Sequence, residues 1–520
     1  MSAKTDINIA PPPSGTKKRK LRRVLLVTAL LLVVVLAGLG FYLNSDAFRE
    51  SVRQRVIAEL GQMTGGRVEL ESFTWKFSSL RFEARNVTIH GREVAGEVPY
   101  AHADRIAVEA KIISFFSRKI SLENVTLDGL VLHLMVYPDG STNQPSPIAA
   151  KNTNETPAQS LFDLAVKQIT ARKATLMLDQ ERIPFDLDGK DISAGMSYVP
   201  DQQAYDGHLD FTPLTIAYGN AVPLQTEVHL NFLLRAKETE IKSLRLSTKS
   251  SSVEASGTVR NYNNPEVTLQ YLAKLDLAEV AKEAKLASLR AGRAELKGAG
   301  TYQSKLYSSQ GTVNVHDLEW HDSNVRTTGI GFESPFTVTQ EKIGLPHVLA
   351  HAFGGTAQGD VQITNWNAPT SGKKIASPHG TTRLHLQGVQ ISRVASAIST
   401  SKMPLDKIEL AGSVSGDIHS SWTGSPEKAI SELKLEVAPP AAPAAKAVPV
   451  TAQLQATYHG DIRMLDVAGL TLATRAIRVS ATGTLGSDKA QARVSLNAND
   501  LRELQPALDA LDPGTRIPVA

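Results

Sequence analysis

Apolar and polar residues alternate with a period of two along most of the chain that follows Gly66. A period of two predicts β-strands that have one apolar and one polar face. Gly, Asn and Asp turns separate these strands without regular helical insertions, which favours antiparallel meanders. The pattern therefore predicts a mainly β fold built on a long antiparallel sheet. The alternation is clearest at 130–136, 228–234, 267–277, 384–386, 408–418 and 433–437.

A helical pattern precedes the strands. Apolar residues recur every four positions between Ser45 and Met63, and Asp46 stands where a helix cap is expected. Gly65-Gly66 ends this pattern. A few shorter helices are predicted further on, as caps at the ends of the sheet, at Leu277–Leu289, Val394–Ile398 and Leu501–Leu511.

One segment has the length and composition of a membrane anchor. Six basic residues lie between Lys17 and Arg23, and the stretch Val24–Leu43 then runs without a charge. At about 1.5 Å per residue, this stretch can cross a hydrocarbon core about 30 Å thick. A cleavable signal peptide is the alternative, but its apolar region is usually about 7–15 residues long and ends at small residues. We therefore predict a single-pass anchor from Val24 to Leu43, with the basic residues in the cytoplasm and the chain after Asn44 outside.

The body of the chain contains an internal sequence similarity. Lys242–Thr258 aligns without a gap with Ala468–Thr484, at an offset of 226 residues, which predicts a duplicated β unit. The second copy ends shortly after Arg516 begins an extended segment, so we expect the chain to stop within a repeat. The predicted divisions are a disordered basic tail (1–23), the transmembrane helix (24–43), an N-terminal region (44–137), a loop (138–157), a β-repeat body (158–437), an Ala/Pro linker (438–449) and a second, incomplete β-repeat (450–520).

Composition excludes several classes of protein. The chain has 56 Lys and Arg against 52 Asp and Glu, a net charge of +4. This balance argues against nucleic-acid binding, which depends on neutralising phosphates. The absence of cysteine removes thiolate nucleophiles, disulfide scaffolds, Cys-ligated zinc and iron–sulfur clusters.

Two groups of histidines have a spacing that suggests a metal site or an acid–base site. His347 and His351 have the spacing of a helical zinc pair, but they lack the Glu of H-E-x-x-H and lie in strand-like sequence. The pairs His316-Asp317 and His321-Asp322 flank Trp320, but adjacent residues of a strand point to opposite faces. The sequence therefore predicts a protein that is not an enzyme and has no metal site and no cofactor.

A set of short motifs resembles a known family. The stretch from Thr64 to Asn143 is similar to the N-terminal region of AsmA-like proteins, relatives of TamB, although Gln144 stands where that family often has Trp. The resemblance covers residue 21 to the end of the chain. The motifs are Thr64-Gly65-Gly66-Arg67-Val68, Phe73-Thr74-Trp75, Asn86-Val87-Thr88-Ile89, Ala103–Val108, Leu122–Leu127, Asp139–Asn143 and Gly354–Val361.

The resemblance implies a fold and a function. The fold would be a repeating β-groove, a long curled antiparallel sheet that is apolar inside and polar outside. The function would be non-catalytic, in phospholipid transport between the bacterial inner and outer membranes or in outer-membrane assembly. Independently, the strand pattern requires that a one-sided apolar sheet be covered by another layer, by itself or by lipid.

The expected protein is therefore anchored in the bacterial inner membrane with a periplasmic body. Its expected partners are phospholipid acyl chains, the inner membrane, and outer-membrane or periplasmic assembly proteins. A membrane-tethered scaffold that binds other proteins through closed β domains is the alternative, and a hydrolase would need a convergent acid/base or metal site. The candidate lipid-contacting residues are Leu269, Tyr271, Leu275, Leu410, Val414, Leu433 and Leu435.

Overall fold

The fold is that of a computed structural model. It describes residues 28, 30–35, 42, 45–76, 79–94, 96–110, 122–145, 161–162, 166–181, 184–219, 221–262, 264–304, 306–322, 325–367, 377–400, 404–442, 447–486, 490–500 and 505. Val24 and Leu43, the two ends of the predicted anchor, lie outside the described residues, as do the basic tail and nearly all of the predicted helix Leu501–Leu511. Within the part of the chain that is described, no helix is both long and apolar enough to cross a bilayer.

The protein is mainly β, as predicted. The α-helices with described bounds are α1 (Asp46–Thr64), α2 (Leu277–Glu283) and α3 (Ile391–Ile398). The strands are β1 (Arg67–Lys76), β2 (Arg81–His90), β3 (Ala101–Ala110), β4 (Leu122–Val136), β5 (Gln168–Gln180), β6 (Phe185–Val199), β7 (Ala204–Tyr218), β8 (Leu224–Leu234), β9 (Glu238–Ser247), β10 (Ser252–Arg260), β11 (Glu266–Asp276), β12 (Leu289–Gln303), β13 (Leu306–His321), β14 (Arg326–Thr339), β15 (Lys342–Ala352), β16 (Gly355–Thr364), β17 (His379–Gln390), β18 (Leu410–Ala411), β19 (Ser413–Thr423), β20 (Ile430–Ala438), β21 (Val448–Pro449), β22 (Thr451–His459), β23 (Met464–Ala473), β24 (Ile477–Gly486) and β25 (Ala490–Ala498).

Helix α1 has the predicted position, with one correction at its start. Its N-cap is Ser45 rather than Asp46, because the Ser45 hydroxyl accepts a hydrogen bond from the backbone N–H of Phe48. Gly65 adopts a left-handed conformation at the C-terminus, which ends the helix where the glycine pair predicts.

The two short helices differ in how well the sequence places them. Helix α3 contains the predicted segment Val394–Ile398 and begins three residues earlier. Helix α2 ends at Glu283, well before the predicted end at Leu289, which is already the first residue of β12. The sequence of this region is rich in helix-forming residues, but Leu289 pairs with Trp320 of β13, so tertiary pairing overrides local propensity.

Twenty-three of the described strands form one sheet, in an order that follows the chain. Every neighbouring pair is antiparallel except β4 and β5, which are parallel, so the prediction of a fully antiparallel sheet is wrong at this place. Parallel strands need a crossover connection, and residues 137–167 are the segment between the end of β4 and the start of β5. The loop predicted at 138–157 lies within this crossover, and its described part, 138–145, has no helix or strand.

The sheet is open, and the expectation of a curled sheet is not met. Among the described strands, β1 pairs with β2 alone and β25 pairs with β24 alone, so no ladder joins the two ends. The sheet also continues across the predicted Ala/Pro linker, because β20 pairs directly with β22. The second described sheet is the small parallel pair β18–β21.

The predicted duplication has a structural counterpart. Shifting β9 along the chain by 226 residues gives the bounds of β23, and both copies contain a register shift at the same place. Identical shifts at equivalent positions indicate that the two copies share a backbone geometry as well as a sequence pattern. The matching pairs are Leu244 with Ala255 and Ile241 with Gly257 in the first copy, and Leu470 with Ala481 and Val467 with Gly483 in the second.

Candidate functional site

The register of the sheet places apolar residues opposite one another from strand to strand. Directly paired residues of adjacent strands project from the same face. Beginning at Phe73 and following each partner in turn, the register defines a row that crosses β1 to β14 and contains apolar side chains and glycines alone. This row is Phe73, Ala84, Ile106, Leu127, Ala171, Ala194, Leu209, Leu230, Leu244, Ala255, Tyr271, Gly298, Gly311 and Phe336.

A second row continues the same face to the last described strand. It begins on β11 at Leu275, which lies four residues after Tyr271 and therefore on the same side of the strand. It ends on β25 at Val494, so the two rows overlap and together cross all 23 strands. We call the face that carries both rows the apolar face. The second row is Leu275, Ala294, Val315, Phe332, Ala350, Ala357, Leu386, Gly416, Leu435, Leu454, Leu470, Ala481 and Val494.

The opposite surface, the polar face, carries ion pairs between neighbouring strands. Arg105 lies between two carboxylates, 3.0 Å from Glu83 and 2.8 Å from Asp128. The hydrogen bond from Arg105 lowers the pKa of Glu83 below its ordinary value, and Arg85 adds to the effect. The two faces thus differ in chemistry along the sheet. Further ion pairs of the polar face are Asp210 with His229, Arg245 with Glu254, and Asp360 with Arg383.

Six of the seven predicted lipid-contacting residues lie together on the apolar face. They occupy β11, β19 and β20, and all are half-buried. In β20 the half-buried positions alternate strictly with exposed ones, so that Lys434, between Leu433 and Leu435, lies exposed on the polar face. The six residues are Leu269, Tyr271, Leu275, Val414, Leu433 and Leu435.

Leu410 is the exception, because it lies outside the large sheet. It belongs to β18 and pairs with Val448 of β21. The alternation at 408–418 is continuous in the sequence, but the carbonyl of Gly412 accepts a hydrogen bond from the backbone N–H of Ile391. This bond to the start of α3 interrupts the ladder, and the chain joins the large sheet only at Ser413.

Helix α1 covers one end of the apolar face. Three apolar residues of the helix pack on a cluster of buried side chains from β1 and β2, of which Leu70 is 4% and Val87 is 3% exposed. Phe73 and Ile106, which belong to the first row, pack against the same cluster. The helix and the beginning of the apolar face therefore share one core. The three helix residues are Val56, Ile57 and Leu60.

Polar contacts fix α1 to the sheet as well. The guanidinium of Arg53 donates a hydrogen bond to the carbonyl of Leu70 at 2.6 Å. Arg53 and Gln54 also donate to the carboxylate of Glu50 and lower its pKa to about 2. The position of the helix over β1 thus rests on a directed hydrogen bond in addition to apolar packing.

Most of the apolar face has no comparable cover among the described residues. The second described sheet contains only the two short strands β18 and β21, so it cannot form a layer over 23 strands. At the far end, Val494 is 60% and Leu496 is 53% exposed. A face of this extent is far larger than the apolar patches that soluble monomers ordinarily leave in water, and such patches are typical of binding surfaces.

The structure does not give the histidine pair His347 and His351 the regular geometry that their spacing suggests. His347 and His351 lie on β15, where His347 has a positive φ of 56° and lies within a register shift between Leu345 and Val348, whereas His351 pairs regularly with Thr356. Across the described ranges, no three His, Asp or Glu side chains come together in a way that could hold a metal ion. What the two rows of the apolar face present is contact with apolar groups.

Two features of this face were not predicted from the sequence. One is its continuity across the parallel β4–β5 pair. The other is a cluster of aromatic rings near α1, in which Phe48 of the helix lies beside Trp75 of β1. The aromatic composition of residues 73–82 is a signal that could have drawn attention to this end, but spacing alone does not bring a helix to it.

The fold and the face define a class: a mainly β protein whose described strands form one long open sheet with an apolar face across all 23 strands. Comparisons of the chain with protein-family models, with curated proteins and with solved structures gave no match.

Proposed function

We propose that this chain is an AsmA-like protein, anchored in the bacterial inner membrane, whose apolar face binds phospholipid acyl chains. Its role would be non-catalytic, in phospholipid transport between the inner and outer membranes or in outer-membrane assembly. The observation that supports this is the uninterrupted apolar register across 23 strands without a second protein layer of similar size among the described residues. The motif resemblance between Thr64 and Asn143 supports the same proposal.

The apolar face is long enough to hold several lipids at once. Strands in a sheet lie about 4.8 Å apart, so 23 strands extend for about 100 Å. An acyl chain covers half of a hydrocarbon core that is about 30 Å thick, or about 15 Å, and therefore about three strands. The apolar face is therefore long enough for several lipids to bind one after another along it.

Movement along such a face needs no catalytic group. Each buried methylene contributes about 0.8 kcal/mol, and the same contribution is available at the next strand because the register keeps apolar residues opposite one another. A lipid that advances by one strand therefore loses and regains similar contacts. Charged headgroups would remain in water at the margin of the face, because burying an unpaired charge is costly.

The scaffold alternative is less well supported. It requires closed β domains whose apolar side chains form a protein core. The described sheet is open, and its apolar side chains are mostly half-buried rather than buried. The proposal therefore favours lipid over a protein core as the cover of this face.

Site-specific photo-crosslinking tests the proposal. The full chain, carrying a photo-crosslinking residue at Leu435, is placed in vesicles that contain phospholipid with a labelled acyl chain. We expect label at Leu435 to exceed label at the exposed neighbour Glu436 about tenfold, the ratio given by a preference of about 1.4 kcal/mol.

A matched pair elsewhere on the sheet serves as a control. Leu269 lies on the apolar face of β11, and its neighbour Gln270 lies on the polar face and is exposed. The same contrast is expected there. Equal labelling of both faces, or no labelling of Leu269 and Leu435, would show that acyl chains do not occupy the apolar face.

A further inference from the structure

Five aromatic rings form a chain of contacts at the α1 end of the apolar face. Tyr42 and Phe48 have ring centroids 5.2 Å apart, and Phe48 meets Trp75 edge-on at 5.6 Å. Trp75 contacts Phe73 at 5.8 Å, and Phe73 stacks on Phe82 at 6.4 Å. These separations are typical of interacting aromatic pairs. We call these five residues the aromatic run.

The inner end of the aromatic run lies on the apolar face. Phe73 belongs to the first row of that face, and Trp75 follows it by two residues on the same side of β1. Phe82 is the direct partner of Trp75 on β2. The aromatic run is therefore continuous with the first row of the apolar face.

The outer end of the aromatic run lies at the predicted membrane segment. Tyr42 is the penultimate residue of the uncharged stretch Val24–Leu43 and is 57% exposed. Its carbonyl accepts hydrogen bonds from the backbone N–H and the hydroxyl of Ser45, at 3.0 Å and 2.7 Å, which hold Tyr42 beside the N-cap of α1. Tyr and Trp are the residues that favour the boundary between lipid and water.

We infer that the aromatic run is the entry site at which a phospholipid acyl chain leaves the membrane and reaches the apolar face. This inference rests on the proposed function and adds a place of entry to it. The occupant is an acyl chain from the anchoring bilayer, since the aromatic run begins where the uncharged segment ends. Its planar rings provide apolar contact over the step between the bilayer and β1, so the acyl chain is not exposed to water during transfer.

The substitution Phe48→Gln tests this role with little risk to the helix. Phe48 is the third residue of α1 after the N-cap Ser45, and a Gln at this position completes the S-x-x-Q pattern of a capping box. The variant therefore removes the central ring while it supports the start of the helix. Ala47→Gln, on the same turn and exposed, is the matched control.

Each variant carries the photo-crosslinking residue at Leu435 and receives phospholipid in two ways, as long-chain lipid within the vesicle or as short-chain lipid dissolved as monomers. For Phe48→Gln we expect the initial rate of labelling from vesicle lipid to fall about tenfold, as a barrier higher by about 1.4 kcal/mol implies. Labelling from monomeric lipid should not change, and Ala47→Gln should behave as the unaltered chain. Trp75→Gln should repeat the loss, whereas Trp75→Phe should retain labelling.

The outcomes separate this inference from the proposed function. Undiminished labelling of Phe48→Gln from vesicle lipid would overturn the entry site and leave lipid binding intact. Loss of labelling from both lipid sources would also overturn it, because Phe48 would then act on the face and not on entry. If the unaltered chain is labelled by neither source, the proposed function itself fails.

Discussion

The two ends of the apolar face have the same strand pattern and different surroundings. At the N-terminal end, α1 packs on β1 and β2, and Val68 is only 7% exposed. At the C-terminal end, Val494 belongs to the apolar face of the same sheet and is 60% exposed. Alternation of apolar and polar residues determines the face of the sheet from which a side chain projects. It does not determine whether another part of the protein packs over that side chain. Cover comes from another element at one end, and on our proposal from lipid over the remainder.

The largest expected contrast comes from placing a charge at each end. Val68→Glu puts an unpaired carboxylate beneath α1 and should destabilise the α1–β1–β2 region by about 4 kcal/mol or more. Val494→Glu leaves its carboxylate in water and should change local stability by about 0.5 kcal/mol or less. Hydrogen exchange of the backbone amides in each region measures both effects. Equal destabilisation by the two variants would mean that both ends are covered alike.

An intermediate effect is expected at the register shift of the second β copy. Gly483 has a φ of 138°, and a Cβ there would lie 2.2 Å from the carbonyl oxygen of Gln491. Gly483→Ala should therefore destabilise β23–β25 by about 1–3 kcal/mol, measured by hydrogen exchange. Gly469→Ala is the control, since a Cβ at that glycine meets no atom within 4 Å.

Gly257 occupies the equivalent position of the first copy, where a Cβ would lie 1.9 Å from the carbonyl oxygen of Thr268. Gly257→Ala should reproduce the loss within β9–β11, again measured by hydrogen exchange. A loss in one copy alone would argue that the two units do not depend on the same backbone geometry.

The smallest expected effect concerns the polar face near α1. The pKa of Glu83 is lowered in the folded protein by its hydrogen bond from Arg105, so its contribution to stability is present above the unfolded pKa. That contribution should disappear as the pH falls through the lower folded pKa. Glu83→Gln should therefore reduce the thermal midpoint at about pH 7 and have less effect at about pH 3. Glu436→Gln, an exposed change on the same face, is the control variant measured at the same two pH values.

The candidate site was predictable as far as it depends on local pattern. Period-two alternation correctly assigned Leu269, Tyr271 and Leu275 to one side of β11, because side-chain direction in a strand depends only on the parity of the position. Alternation also assigned Leu410 to this face, but the carbonyl of Gly412 accepts a hydrogen bond from the N–H of Ile391, and Leu410 lies outside the large sheet. Parity describes the direction of a side chain, but a residue's membership of a sheet depends on non-local pairing.

The sequence by itself determined the mainly β fold, the two chemical faces, the start and end of α1 to within about one residue, and the repeated β unit. These features follow from periodicity, capping and glycine, all of which act over a few residues. Only the tertiary structure decided that β4 and β5 run parallel, that α2 ends at Glu283, that the sheet stays open, and that α1 and Phe48 lie over the first strands. Each of these depends on which distant segments meet, and a pattern of apolar and polar residues specifies the need for a partner without specifying the partner.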